Sequence, residues 1–457
     1  MEKDYIYRYG FLFSSKVDAD DINLVRKCFL TALFPLSFIN DVVEAINTSI
    51  PIDSEIPLLV DELFNSKSIN LPKALSFIRE FVEQKGILIE SRELEEFRDY
   101  HKISKEEFTS IVLQPRIAYY NTPHKIKAYL DKHVIGQEEA KKTLSVSFYL
   151  HLIRLGLIES KYNKFHFNPA DFPKPNILIT GTTGSGKSYM INLLCNLFGL
   201  PFLKIDCSSL VSSGYVGNNL NSYFRSLIHH YGQEEAERAI VFFDEFDKVS
   251  EANIGRSGSV GGIEIQQEFL TILEDKQVMV RMNTDGDTKP HFLKTQKMLM
   301  VFAGSFAGIE KIIKKRINNG EGNLGFRKKP LIESDNILKK INFEDLISFG
   351  IIPELVGRIG FIAVLNTLTK EELVSIIKTS KDNELKKYEN FFAFNGDKIH
   401  IHDEVYDLIA EEALKRKTGA RALSSVILQL LNDLLYDSVN ESEDIFEIDA
   451  AYFKSKI

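Results

Sequence analysis

The chain has 457 residues, 44% of them hydrophobic and 26% charged, too many for one hydrophobic core and too apolar for a disordered or fibrous chain. A formal charge of -8 excludes an overall basic field, so a nucleic-acid partner would need a local patch. The three cysteines, Cys28, Cys195 and Cys207, show no C-x-x-C pairing and provide no disulfide framework.

The start, M-E-K-D-Y-I-Y-R-Y, is charged where a signal peptide needs an apolar run, and no stretch reaches the ~18 apolar residues of a membrane span. A cytoplasmic protein without a membrane partner is expected. Residues 1–115 are expected to form a helical N-terminal domain. Ile22, Val25, Phe29 and Leu33 recur at helical spacing, as do Phe38, Val42 and Ile46 after Pro35. A third helix is expected to open near Pro72 and close at Gly86. This segment carries no recognisable chemistry, and Pro115 and Pro123 bracket its end.

In residues 116–366 short apolar runs alternate with helical patterns, which predicts an α/β domain with a parallel five-stranded sheet and flanking helices. The strand candidates are 176–180, 202–206, 240–243, 298–303 and 361–364. Residues 367–457 begin with the capping-box pattern Thr369-Lys-Glu-Glu372 and stay helical in period to Tyr436, which predicts a small, mostly α-helical domain.

The first candidate strand runs into G-T-T-G-S-G-K-S, comprising Gly181, Thr182, Thr183, Gly184, Ser185, Gly186, Lys187 and Ser188, and then into a helical run ended by Gly199. This is the P-loop in its strand–loop–helix context. Its glycines let backbone amides wrap phosphate oxygens at a helix N-terminus, with Lys187 suited to the β- and γ-phosphates of ATP and Ser188 to Mg²⁺. Downstream, A-I-V-F-F-D-E-F-D-K sets Asp244 and Glu245 at the end of a buried strand. Asp244 suits Mg²⁺, and Glu245 suits orienting the attacking water, because phosphoryl transfer demands positioning and charge neutralisation. A P-loop kinase is the competing class, but a Glu beside the Mg²⁺ ligand favours water over a substrate hydroxyl.

The ordered motifs H-V-I-G-Q-E-E-A-K-K, G-T-T-G-S-G-K-S, S-G-Y-V-G-N, F-F-D-E-F-D-K, F-G-I-I-P-E-L-V-G-R and T-G-A-R resemble the ClpX branch of the AAA+ unfoldases, from about residue 120 to the end. The resemblance implies an ATPase that assembles as a homohexamer. Val134 and Ile135 would border adenine, and Tyr215 with Val216 would grip unfolded polypeptide in a central pore. Arg358 would be an arginine finger reaching a neighbouring subunit, and Arg421 a sensor of nucleotide from the small domain. Leu324-Gly325-Phe326 would dock a ClpP-like peptidase.

The chain departs from that family in three places. Cys28 is the only cysteine before Cys195, so the N-terminal zinc module has no counterpart. The basic pore segment is reduced to Lys289-Pro-His291, and M-L-M-V-F-A-G-S-F offers no evident first-sensor Asn or Thr. The leading expectation is an ATP-dependent unfoldase that threads polypeptides into a peptidase. The alternatives are a peptidase-independent remodelling ATPase and an AAA+ motor on a nucleic-acid complex; the acidic balance counts against the last.

Overall fold

The computed structural model describes residues 114–158, 172–210, 219–250, 262–274, 277–284, 287–320, 337–379, 384–416, 419–438 and 445–457. The helices expected before residue 114, the pair Tyr215 and Val216, and Leu324-Gly325-Phe326 lie outside the described residues. Helix α1 (Gln114–Tyr119) is short, and the Tyr119 and Tyr120 rings at its end meet edge-on at 4.8 Å.

Helix α2 (Pro123–His133) opens with proline at its first position, where no amide hydrogen is needed, and Thr122 caps it by accepting from the Lys125 amide. Helix α3 (Glu138–Arg154) follows a tight turn in which Gly136 and Gln137 both have positive φ. Strand β1 (Ile177–Thr180) leads through the glycine loop into α4 (Lys187–Phe198), and β2 (Phe202–Asp206) leads towards α5 (Leu220–Tyr231). Strand β3 (Ile240–Asp244) breaks into a 3-10 turn, Phe246–Val249, before α6 (Gly262–Leu273). Strands β4 (Gln277–Thr284) and β5 (Asp287–Lys294) form an antiparallel hairpin, and β6 (Leu299–Gly304) precedes α7 (Ile309–Gly320). After α8 (Phe343–Phe349), β7 (Phe361–Val364) is the last strand of the main sheet.

That sheet is parallel throughout, with order β2-β3-β6-β1-β7. All five expected strands are present, with ends shifted by a residue at three of them. Every residue of β1 and β6 is buried, as a parallel sheet covered on both faces requires. Strand β1 starts after Asn176, whose buried side-chain carboxamide braces two neighbouring segments. It donates to the Arg358 carbonyl at 3.0 Å and accepts from the Met300 amide at 3.2 Å. Strand β3 extends one residue further than its apolar run, through Asp244. Its end is fixed by aromatic packing: Phe243 stacks on Phe302 at 5.1 Å, and Phe246 meets Phe302 at 4.6 Å. Each such pair adds about 0.5–1.5 kcal/mol beyond area burial.

The C-terminal region consists of α9 (Lys370–Thr379), α10 (Glu384–Phe394), β8 (Lys398–Ile401), α11 (Asp403–Arg416), α12 (Ala420–Asp437), β9 (Ile445–Ile448) and α13 (Ala450–Lys456). Leu373, Phe392, Val405, Ile409, Val426 and Leu430 form its own core. The capping box is real: Thr369 accepts from the Glu372 amide at 3.2 Å while Glu372 accepts from the Thr369 amide at 2.9 Å. The hairpin, which carries Lys289-Pro-His291, and the parallel pair β8–β9 were not foreseen.

Candidate active site

Strands β3 and β1 flank β6, so the carboxyl ends of three neighbouring strands open at one edge of the sheet, where α/β proteins place their ligands. A cavity of about 460 Å³ lies there, lined by Thr183, Gly184, Gly186, Lys187, Ser188, Asp244, Glu245, Asp247, Ser305 and Arg421 among others. The structure thus brings together the glycine loop, the paired acids and the T-G-A-R arginine.

The loop is shaped by backbone that only glycine adopts freely. Gly184 and Gly186 have φ of 76° and 98°. At Gly181 a Cβ would lie 2.8 Å from the Leu365 Cβ and 2.9 Å from its carbonyl oxygen, so no larger residue fits. Ser185 donates its hydroxyl to the Thr182 carbonyl at 2.7 Å and closes the turn. Lys187 folds back over the loop, donating to the carbonyls of Gly181 at 2.8 Å and Thr182 at 2.9 Å. Burial lowers the Lys187 pKa from its ordinary value, while Asp244 and Asp247 pull it upward.

Across the cavity, Asp244 ends β3 and pairs with Lys204 of β2 at 2.7 Å. Glu245 is exposed and holds a left-handed backbone, φ 53° and ψ 34°, which a non-glycine residue adopts at some strain. Its amide donates to the Asp244 carboxylate at 3.1 Å. Three side chains at or beside this site had been given no role in the sequence reading. Asp247, almost fully buried, accepts from the Ser305 amide at 3.3 Å and from its hydroxyl at 3.1 Å. Both residues lie inside motifs already singled out, but only the adjacency of β3 and β6 brings them together. The third is Lys204.

The small-domain side closes on the loop by backbone. The Ala420 amide donates to the Gly184 carbonyl at 3.1 Å, and Arg421 follows at the cavity wall. Val134 and Ile135 are not among the residues lining the cavity. Val134 is buried, and its carbonyl accepts from Lys141 at 3.3 Å. Beside them, the Gln137 side chain clamps Asn366 by donating to its carbonyl and accepting from its amide, both at 2.8 Å. Arg358 also stands off the cavity, half exposed, with Glu274 3.8 Å away.

The donor set suits an anion with a hard cation. Loop amides, Lys187 and Arg421 offer positive partners, and the Ser188 hydroxyl with the Asp244 and Asp247 carboxylates offers the oxygen ligands that Mg²⁺ prefers. A glycine loop between the first strand of a parallel sheet and a helix, faced by paired acids, defines a P-loop ATPase.

Comparison with known proteins narrows the class. Residues 172–362 match the AAA domain (Cdc48 subfamily), and residues 368–448 match the C-terminal, D2-small domain, of ClpB protein. The ATP-dependent Clp protease ATP-binding subunit ClpX of Bacteroides thetaiotaomicron is 33% identical over 345 residues, 73% of this chain and 81% of that protein. The ClpX subunit of Borrelia duttonii is 34% identical over 348 residues, 74% of this chain and 79% of its own. The chain belongs to the ClpX-type AAA+ family.

Proposed function

We propose that this ATPase works as a homohexameric ring that unfolds polypeptides, draws them through its central pore and delivers them to a ClpP-like peptidase. The reading divides the chain into a helical N-terminal domain over 1–115, a large ATPase domain over 116–366 and a small α-helical domain over 367–457. It is supported by relatives named ATP-dependent Clp protease ATP-binding subunit.

In this reading Gly181 to Gly186 cradle the phosphates of ATP, and Lys187 turns from the loop carbonyls to the β- and γ-oxygens. Ser188 and Asp244 hold Mg²⁺, which neutralises charge on the phosphates when bound. Glu245 orients the attacking water. Val134 and Ile135 border adenine, and Arg421 reports occupancy to the small domain. Tyr215 and Val216 grip substrate, while Leu324, Gly325 and Phe326 meet the peptidase.

The observation that carries the ring is the position of Arg358. The cavity is lined by Lys187, Lys248, Arg421, several hydroxyls and three carboxylates, whereas Arg358 is exposed away from it with Glu274 3.8 Å away. An arginine so placed is free to complete the site of a neighbouring subunit. Mixing two inactive variants tests this. Arg358→Ala keeps its own acids, and Glu245→Gln keeps its arginine. In a randomly mixed ring about one interface in four joins an intact acid to an intact arginine, so roughly a quarter of the ATPase activity returns. No recovery from preparations that co-assemble refutes the reading.

A further inference from the structure

The far end of the C-terminal region carries a cluster unrelated to the ATP cavity. In K-I-H-I-H, His400 lies in β8 and His402 follows directly after its end, where the His402 amide still bonds the Ile448 carbonyl of β9. The parallel register places Glu447 of β9 directly opposite His400. One ligand atom from each of the three side chains falls within 4.8 Å of the other two. His402 Nε2 lies 3.0 Å from Glu447 Oε2, and the two imidazole rings are edge-on with centroids 5.4 Å apart.

We propose that His400, His402 and Glu447 form a binding site for a divalent cation of the zinc class. The donor types decide the class. Two imidazoles with one carboxylate select zinc, copper or nickel over magnesium and calcium, which take oxygen ligands. Tetrahedral bonds of about 2.0–2.2 Å place neighbouring ligand atoms about 3.3–3.6 Å apart, so the His402–Glu447 pair at 3.0 Å needs to open by a few tenths of an ångström and His400 to close in by side-chain rotation. Water completes the coordination.

The backbone beneath the cluster is fixed. The His402 amide donates to the Ile448 carbonyl at 3.0 Å, and the His402 carbonyl accepts from the Val405 amide at 2.9 Å at the start of α11. The neighbouring Ile448 is fully buried, and Asp449 caps α13 by accepting from the Tyr452 amide at 2.7 Å. A cation there ties β8 to β9 across 45 residues of chain, and clips that close long loops restrict the unfolded chain most. Lys398 lies one step along the same face and is exposed, while the Glu447 carboxylate supplies compensating charge.

The test is calorimetric titration of the nucleotide-free full-length protein with Zn²⁺ at pH 7.5, paired with thermal unfolding. The expected result is one saturable site per subunit and a Zn²⁺-dependent rise in Tm. Glu447→Gln should weaken binding at least about tenfold, and the double variant His400→Ala/His402→Ala should remove both binding and the rise in Tm. All three side chains are exposed, so the variants should fold; their metal-free Tm checks this. Absence of a saturable site, or a site and Tm rise unchanged in the double variant, overturns the proposal.

Discussion

Gly419 offers the sharpest perturbation of the link between the small domain and the ATP cavity. It has φ 59° and ψ -142°, a conformation open essentially to glycine alone. A Cβ there would lie 2.8 Å from the Gly184 carbonyl oxygen and 2.9 Å from that of Thr183, both backbone atoms of the glycine loop. Gly419→Ala therefore incurs about 1–3 kcal/mol of backbone strain. Relieving the clash by separating α12 from the loop breaks the Ala420–Gly184 hydrogen bond and removes about 0.5–1.5 kcal/mol more. The total of about 2–4 kcal/mol falls on the arrangement that brings Arg421 to the cavity, equivalent to roughly 30- to 1,000-fold in its population. Gly232 provides the control: its φ of 79° and ψ of 163° are also glycine-only, yet a Cβ there meets nothing within 4 Å. Equilibrium binding of a fluorescent ADP analogue should show affinity reduced by at least tenfold for Gly419→Ala and unchanged for Gly232→Ala, with both losing some thermal stability. Unchanged affinity for Gly419→Ala, or equal losses in the two variants, refutes the reasoning.

Glu245→Gln should bind ATP with near-normal affinity yet hydrolyse it about 10²–10⁴-fold more slowly, read by filter binding against phosphate release. Hydrolysis within a few-fold of the parent would remove Glu245 from the chemistry. Lys204→Met frees Asp244 from a half-exposed ion pair worth about 0.2–1 kcal/mol, so half-maximal Mg²⁺ for ATPase activity should fall roughly two- to fivefold. A higher Mg²⁺ requirement would show that Lys204 assists the metal rather than competing with it. His151 is fully buried with its Nε2 unpartnered, and burial, then Arg154 and Arg238, push its pKa down to about 3. Because the folded value lies below the unfolded one of about 6.5, the unfolded chain takes up the proton first as pH falls, and stability is lost from about pH 6.5 downward at up to about 1.4 kcal/mol per pH unit. His151→Leu should flatten that limb by about 2 kcal/mol at pH 5 in urea titrations, and an identical pH profile would contradict the assignment.

The sheet was legible because a strand buried on both faces is written as an unbroken apolar run, as in I-L-I-T and I-V-F-F. Thr369 and Glu372 were legible because a capping box is local, closed within four residues. The P-loop and Asp244-Glu245 could be read for the same reason, since the chemistry repeats a short string in a fixed context. What escaped depends on neighbours distant in the chain. Lys204 reaches Asp244 only because β2 and β3 pair in parallel with Lys204 beside Phe242. Ser305 meets Asp247 across 58 residues, and Gln137 clamps Asn366 across 229. No periodicity encodes such pairs. The β4–β5 hairpin was not legible for another reason: neither Q-V-M-V-R-M-N-T nor D-T-K-P-H-F-L-K alternates apolar with polar residues, and Pro290 falls inside the second strand.

The glycines of the site lead to a conclusion about coupling that no single side chain provides. Gly181 is hemmed by Leu365 just after β7, Gly304 by the Asp247 carboxylate 2.5 Å from its virtual Cβ, and Gly419 by the glycine loop itself. Gly136, with positive φ, has its Cβ position filled by the Glu372 carboxylate that also caps α9. Among the described residues, the C-terminal region therefore meets the rest of the ATPase by the Glu372 carboxylate against Gly136 and by backbone against backbone at Gly184 and Gly419. Contacts at backbone distance transmit a displacement directly, because a closely packed interior has few voids to absorb it. A change in loop geometry at Gly184 must then move the start of α12, whether or not Arg421 bears a charge. Replacing Arg421 alone would weaken the response to nucleotide without abolishing it, whereas filling the Gly419 gap would uncouple the two regions.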